Sequence, residues 1–186
     1  MIKGNTEGRH TEKDDNMTTT QTLKHLTPTQ CAYIAGFLDG DGSINAQIVR
    51  QPEYILKFQI RVTLTFFQKT SRYWVLLQLH KLLKYGTLRK RSDGMAEYAI
   101  VGKQAVKHCI ELLQPYLRVK KQHAVCILQI IKQLQKNMEP EAFVKLCTLV
   151  DKFKVLNDSK KRTLTSETVQ NHFLSLNLLS VPVETI

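Results

Sequence analysis

Two carboxylates, Asp39 and Asp41, stand between glycines at the end of the run Ala32-Tyr33-Ile34-Ala35-Gly36-Phe37-Leu38-Asp39-Gly40-Asp41-Gly42-Ser43. The residues before them are apolar or small and suit a helix. An acid at a helix C-terminus faces the negative end of the macrodipole, which costs a few tenths to ~1 kcal/mol. A carboxylate held where the local field disfavours it points to a cation as its partner. Gly36 and Gly40 are four apart, so they share one helix face with Ala32 and let another backbone approach closely. The segment therefore describes a helix that packs tightly against a second helix and delivers an acid to the base of the junction. The alternative is a small-residue helix ending in a glycine cap, with both acids solvated.

The elements that must position this acid follow from periodicity. Thr27-Pro28-Thr29-Gln30 combines an N-cap, a proline at the first helical position and a capping-box Gln, which predicts a helix from about Pro28 to Asp39. Ile44 to Ile48 alternates apolar and polar, Gln51-Pro52-Glu53 turns, and Leu56 to Gln68 alternates over an unusual length. Leu56, Phe58, Ile60, Val62, Leu64 and Phe66 face one way, Lys57, Gln59, Arg61, Thr63 and Thr65 the other. A helix follows over Arg72–Lys84, with Trp74 assigned to the core. A hairpin forms around Ser92-Asp93-Gly94, joining strands at Thr87–Arg91 and Glu97–Val101. Helices are then expected over Lys103–Leu113, Lys121–Leu134, Glu141–Leu156 and Ser166–Leu178. The result is an α+β layout with one antiparallel sheet. Residues 1–26 lack apolar periodicity and are expected to be a disordered extension, with one domain over 27–178 and a short tail over 179–186.

Charge narrows the function. The chain has 186 residues, 27 Lys plus Arg against 16 Asp plus Glu, and a formal charge of +11. Four bases and four acids cancel within the first 26 residues, so the excess belongs to the folded part. Between Tyr54 and Ser92 there is no acid, while Lys57, Arg61, Lys69, Arg72, Lys81, Lys84, Arg89, Lys90 and Arg91 are all present. A one-sign stretch of this kind is the footprint of a polyanion partner. The cysteines Cys31, Cys109, Cys126 and Cys147 are far apart in apolar contexts and are expected to be reduced core residues of an intracellular protein. His108 and His123 are assigned to surface or packing. No segment has the length and apolarity of a signal peptide or a membrane span, and a membrane partner is not expected.

Ala35-Gly36-Phe37-Leu38-Asp39-Gly40-Asp41-Gly42 resembles the motif that names the LAGLIDADG homing endonucleases. The αββαββα order, with extra C-terminal helices, is similar to the single-motif, homodimeric subgroup typified by algal organellar intron enzymes. Gln68-Lys69-Thr70, with Arg72 four residues beyond Gln68, resembles that subgroup after its long second strand. So do Pro115-Tyr116-Leu117-Arg118-Val119-Lys120 before a long helix and Asn157-Asp158-Ser159-Lys160 before the last one. The resemblance spans roughly Pro28 to Thr168.

It implies a site-specific DNA endonuclease with Asp41 binding Mg²⁺, assisted by the Gly40 carbonyl, and with Mn²⁺ able to replace Mg²⁺. Gln68 and Arg72 would orient waters and Lys120 would stabilise charge, while Asp39 serves capping or structural hydrogen bonding. One chain supplies one motif, so a homodimer is implied, meeting at Ala32, Gly36 and Gly40. The sheet would be a curved saddle in the major groove of double-stranded DNA, with Asn45, Gln47, Gln51, Tyr54, Gln59, Arg61, Thr63, Thr65, Arg89, Arg91, Glu97 and Lys160 on the DNA. A strand of ~12 residues at ~3.3 Å each spans roughly 40 Å, or about 11 base pairs. Two subunits would cover on the order of 20, and dimer symmetry favours a near-palindrome. Val49 stands where the subgroup often carries a basic residue, which leaves base preference open.

Two other readings stay on the table. One is a nucleic-acid-binding protein on the same fold without cleavage, either an intron RNA maturase or a transcription factor. The other is a structural α+β protein with a solvated basic face. No small-molecule substrate is implied, and the algal resemblance tilts the expected compartment toward the chloroplast.

Overall fold

The computed structural model describes residues 26–157 and 162–179. The expected N-terminal extension (apart from Leu26), the tail beyond Leu179, and Lys160 with the turn around it lie outside the described residues.

Helix α1 spans Pro28–Asp41 and opens on the expected box: the Gln30 N–H donates to Thr27 Oγ1 at 3.2 Å, and the Thr27 N–H to Gln30 Oε1 at 2.9 Å. Its buried residues Cys31, Ile34, Ala35 and Leu38 repeat at helical spacing and pack on the sheet, while Ala32, Tyr33, Gly36 and Gly40 are exposed. The helix runs two residues further than its sequence predicts and passes directly into strand β1, Gly42–Arg50, with no residue between.

Strand β2 covers Phe58–Lys69, followed by a 3-10 turn at Thr70–Arg72 and helix α2 at Tyr73–Leu83. Strands β3, Thr87–Lys90, and β4, Met95–Val101, form the second hairpin, and helix α3 spans Lys103–Leu113. The expected αββαββα order is thus present, and α4 (Lys121–Gln133), α5 (Pro140–Leu156) and α6 (Ser166–Ser175) extend it. The four strands form one antiparallel sheet in the order β1-β2-β4-β3.

Strict alternation divides that sheet into two faces. Ile44, Ala46, Ile48, Phe58, Ile60, Val62, Leu64, Phe66, Ala96, Tyr98 and Ile100 are buried against the helices. Phe66 and Tyr98 stack at 5.7 Å between centroids, and the Tyr98 hydroxyl donates to the Tyr85 carbonyl at 2.5 Å. The opposite face carries the polar positions. β1 is an edge, and its exposed main chain is covered rather than left open: Asn157 Nδ2 donates to the Ile44 carbonyl at 3.1 Å and Arg162 Nη1 to the Ala46 carbonyl at 2.8 Å.

Several expectations are corrected. Lys57 belongs to the loop before β2, at φ 58°, with its ammonium on the Pro52 carbonyl at 2.8 Å. Trp74 is 57% exposed, because the inward stripe of α2 is Val75, Leu76, Leu79 and Leu83, and Trp74 falls just outside it. The cysteines are free and buried as expected, and burial pushes the Cys109 and Cys147 thiols up to about 12. His123 is a packing residue whose Nε2 donates to the Leu156 carbonyl at 2.8 Å. No helix among the described residues is long and apolar enough to cross a membrane.

The α1–β1 junction has one strict steric requirement. A Cβ on Gly42 would lie 2.5 Å from Leu38 Cδ1, 2.8 Å from the Leu38 oxygen and 2.9 Å from its Cα. Two of those atoms are backbone and cannot rotate away. Gly42→Ala is therefore expected to destabilise the fold by about 1–3 kcal/mol, the scale of overpacking a tight site. Urea unfolding of the variant beside the parent checks this.

Candidate active site and nucleic-acid interface

Pairing register explains how distant residues meet. β1 runs antiparallel to β2 with Gly42 opposite Phe66, so the residue before β1 comes beside the residues that follow Phe66. Asp41, the last residue of α1, is exposed there, and Gln68 Nε2 donates to its Oδ2 at 3.5 Å. Gln68 continues the inward phase of β2 and is only 8% exposed. Its Oε1 accepts from the Lys69 N–H at 3.0 Å, which fixes the amide with its NH₂ toward Asp41.

Asp39 has a different task. Its Oδ2 accepts from the Arg118 N–H at 2.7 Å and the Val119 N–H at 3.2 Å, and its Oδ1 from the Lys120 N–H at 2.8 Å. Lys120 Nζ returns to the Asp39 carbonyl at 2.5 Å. This carbonyl is one of the last-turn acceptors that a helix cannot satisfy itself. Partial burial alone would raise the Asp39 pKa, but the three N–H donors and the Lys120 ammonium outweigh it and hold the carboxyl below its ordinary value. The sequence-based assignment of Asp39 to structural hydrogen bonding therefore matches the geometry, and the same bonds bring Lys120 to the end of α1. Arg72 is exposed at the end of the 3-10 turn and forms no ion pair among the described residues.

No cluster of three or more His, Cys, Asp or Glu side chains suited to a metal exists among the described residues. The donors at the end of α1 are the exposed Asp41 carboxylate and the Gly40 carbonyl, both hard oxygens of the kind Mg²⁺ and Ca²⁺ prefer. Two protein ligands leave room for the waters and phosphate oxygens that Mg²⁺ usually keeps. The donor set fits a divalent cation shared with substrate, and it does not fit a closed structural site.

The outward sheet face holds Asn45 opposite Thr63, Gln47 opposite Arg61 and Gln59 opposite Val49, with Thr65 between Ser43 and Ala99. Gln51 and Tyr54 sit in the exposed β1–β2 loop. Arg89 and Glu97 are cross-strand partners and form an ion pair at 2.9 Å, and Arg91 pairs with Asp93 at 2.6 Å in the turn. Three positions expected on DNA thus engage protein charges first. Phe67, opposite Glu97 on the same face, was not among the expected residues. Asn157 and Arg162 also escaped assignment as functional. Arg162 bonds to residues more than a hundred positions earlier, and no local pattern announces that.

A family model described as LAGLIDADG endonuclease matches residues 34–140. The chain belongs to this family. It is 47% identical over 139 residues to the DNA endonuclease I-CvuI of Chlorella vulgaris, covering 75% of this chain and 86% of that protein. Identity to the DNA endonuclease I-CreI of Chlamydomonas reinhardtii is 41% over 139 residues, covering 74% and 85% respectively. The solved structure of I-CvuI in complex with its target in the presence of 2 mM Ca superposes with a TM-score of 0.79, at 43% identity, over 82% of this chain and 97% of that one. I-CvuI has also been solved on the I-CreI target with 2 mM Mg, the DNA not cleaved. The LAGLIDADG fold and the single-motif subgroup expected from the sequence are both upheld.

The Asp39 bonds predict a pH signature. The folded pKa lies below the ordinary 3.8, so this carboxylate adds stability that is full above that value and is lost as pH falls through the folded pKa. Asp39→Asn keeps the shape but turns one acceptor into a donor facing main-chain N–H groups. It should cost about 0.5–1.5 kcal/mol near neutral pH, the scale of a solvent-screened bond, and flatten the acid limb of the stability curve. Thermal melts of parent and variant between pH 3 and 7 measure both effects.

Proposed function

We propose that this LAGLIDADG protein is a homing endonuclease that cuts both strands of a long, near-palindromic DNA site as a homodimer, using Mg²⁺, with Mn²⁺ able to replace it. The observation that carries the reading is the exposed Asp41 carboxylate, set beside the buried Gln68 amide at the end of a polar, basic sheet face.

Asp41 and the Gly40 carbonyl would hold the divalent ion, which when bound neutralises phosphate charge and acidifies a water. The chain's own groups do the rest. Gln68 donates toward Asp41 and orients that carboxylate, and with Arg72 it holds water near the scissile phosphate. The Lys120 ammonium, anchored on the Asp39 carbonyl at the end of α1, would offset charge as it develops on the phosphate. Gln47, Gln59, Arg61, Thr63 and Thr65 present donors and acceptors from a strand face, the type of surface that reads base edges in a major groove. Relatives named DNA endonucleases, at 47% and 41% identity, support this function.

Dimer formation is supported by the motif glycines. Unlike Gly42, a Cβ on Gly36 or Gly40 would meet nothing within 4 Å. The fold of one chain therefore does not require glycine at either position, although glycine costs about 0.5–1 kcal/mol relative to alanine inside a helix. A second copy of the exposed α1 face accounts for the exception, and it brings a second Asp41 to complete the site.

Two experiments test this. Gly36→Leu should fold and sediment as a monomer, with double-strand cleavage lost; a variant that remains dimeric and active removes α1 from the interface. Asp41→Asn should reduce cleavage on the order of 100- to 1000-fold, the scale of losing one charge-stabilising group at a reacting centre. DNA affinity should survive, since it rests on the sheet, and melting temperature should not fall, since an acid leaves the negative end of a helix. Normal cutting by Asp41→Asn overturns the assignment. Salt-dependent DNA binding by the parent protein with no cleavage in Mg²⁺ would instead identify a binding-only protein.

A further inference from the structure

Asn45 stands on the outward face of β1, where the chain between α5 and α6 reaches the sheet edge. Its Oδ1 accepts from Arg162 Nη2 at 2.8 Å and from Asn157 Nδ2 at 3.4 Å. A guanidinium has only donors, so the amide atom facing it has to be the carbonyl oxygen. Asn157 is fixed in the same way, because its Nδ2 also donates to the Ile44 carbonyl. Arg162 is itself immobilised: Nη1 bridges the Ala46 carbonyl at 2.8 Å and the Val150 carbonyl at 3.1 Å. The orientation of the Asn45 amide is thus dictated by chemistry from one side.

The Asn45 NH₂ has no partner among the described residues, and the residue lines a cleft of about 240 Å³ together with Ser43, Gln47, Asn157, Arg162 and Thr163. With Oδ1 held from the α5–α6 side, the NH₂ is the group left for the open side. A free asparagine pairs with adenine through both ends of its amide, donating to N7 and accepting from the N6 amino group. Asn45 has lost the accepting half of that pairing.

We propose that Asn45 is a donor-only reader of the target, with Arg162 as the positioning residue that makes it so. It recognises a base that offers an acceptor in the major groove and rejects cytosine, which presents an amino donor there. This rests on the DNA-reading sheet face of the proposed function and adds a chemical rule at one pair of symmetric positions. Neither Asn157 nor Arg162 needs to touch DNA for the rule to hold.

The test is selection from a randomised near-palindromic library by the full-length protein, with bound and cleaved DNA sequenced separately. The parent should deplete cytosine at one symmetric pair of positions on the order of five- to ten-fold, as one lost base contact would do. Asn45→Ala should erase that depletion and leave the other positions intact. Asn45→Asp, which is acceptor-only and the same shape, should invert it toward cytosine. Both variants retain the Arg162 bonds to Ala46 and Val150, so a folding failure is not expected to obscure the result. Arg162→Ala should free the amide and raise adenine at the same pair, with no such change when Asn45 is already alanine. A merely structural Arg162 would weaken binding at all positions alike. An unchanged profile for Asn45→Ala, or a uniform loss of affinity with no positional change, overturns the proposal while the endonuclease reading stands. A parent protein that selects no sequence overturns both.

Discussion

The geometry at the end of helix α1 depends on one carboxylate whose oxygens are taken up by main-chain donors. Asp39 gathers three successive main-chain N–H groups, from Arg118 to Lys120, at a point where the chain has left α3 and not yet begun α4. These donors would otherwise be met by water in a surface turn, and a charged acceptor makes the protein bond the stronger of the two. By satisfying them, the last turn of α1 is locked to a segment 80 residues away, and Lys120 is aimed at a helix carbonyl. Asp41, two residues on, inherits a fixed position while staying exposed. The motif's two acids are thus placed differently, Asp39 holding the frame and Asp41 left exposed.

Charge on the sheet is less abundant than a count of basic residues implies. Arg89 and Arg91 are each matched by an acid from the same hairpin, so the β3–β4 end presents ion pairs, whereas Arg61 lies mid-strand with neutral neighbours. Exposed pairs of this kind add little to stability, typically about 0–1 kcal/mol. Each pair also gives its arginine a partner on the protein, which biases the direction of the guanidinium. If this face reads bases as proposed, a guanidinium with a defined direction would serve better than one that sweeps the groove.

The architecture was legible wherever local physics repeats. The alternation from Phe58 to Phe66 announced a two-faced strand, and the Thr27–Gln30 box announced the start of α1. The same logic failed where a position depended on a neighbour not visible in the local sequence. Trp74 is expected in the core, yet its angular position on α2 lies outside the stripe set by Val75, Leu76 and Leu79. Helix α1 runs on to Asp41 because Gly42 enters the sheet at once, and no propensity encodes that pairing. The motif resemblance names Asp41 and Gln68, which do meet in the structure, whereas nothing in it points to Arg162, whose partners include carbonyls of β1 and α5. Long-range backbone recognition leaves no periodic trace in a sequence.

The direct passage from helix to strand at Asp41–Gly42 has a mechanical consequence. With no loop there is no slack, so under the proposed function β1 and the Asp41 carboxylate would answer together to whatever the strand meets in the groove. A wrong base that displaced the strand would then strain the end of α1, where Asp41 sits. Reactions of this type lose about 100-fold in rate for a misplacement near 1 Å. Fidelity can then exceed what binding alone supplies, because an ill-fitting sequence is penalised once in affinity and again in turnover.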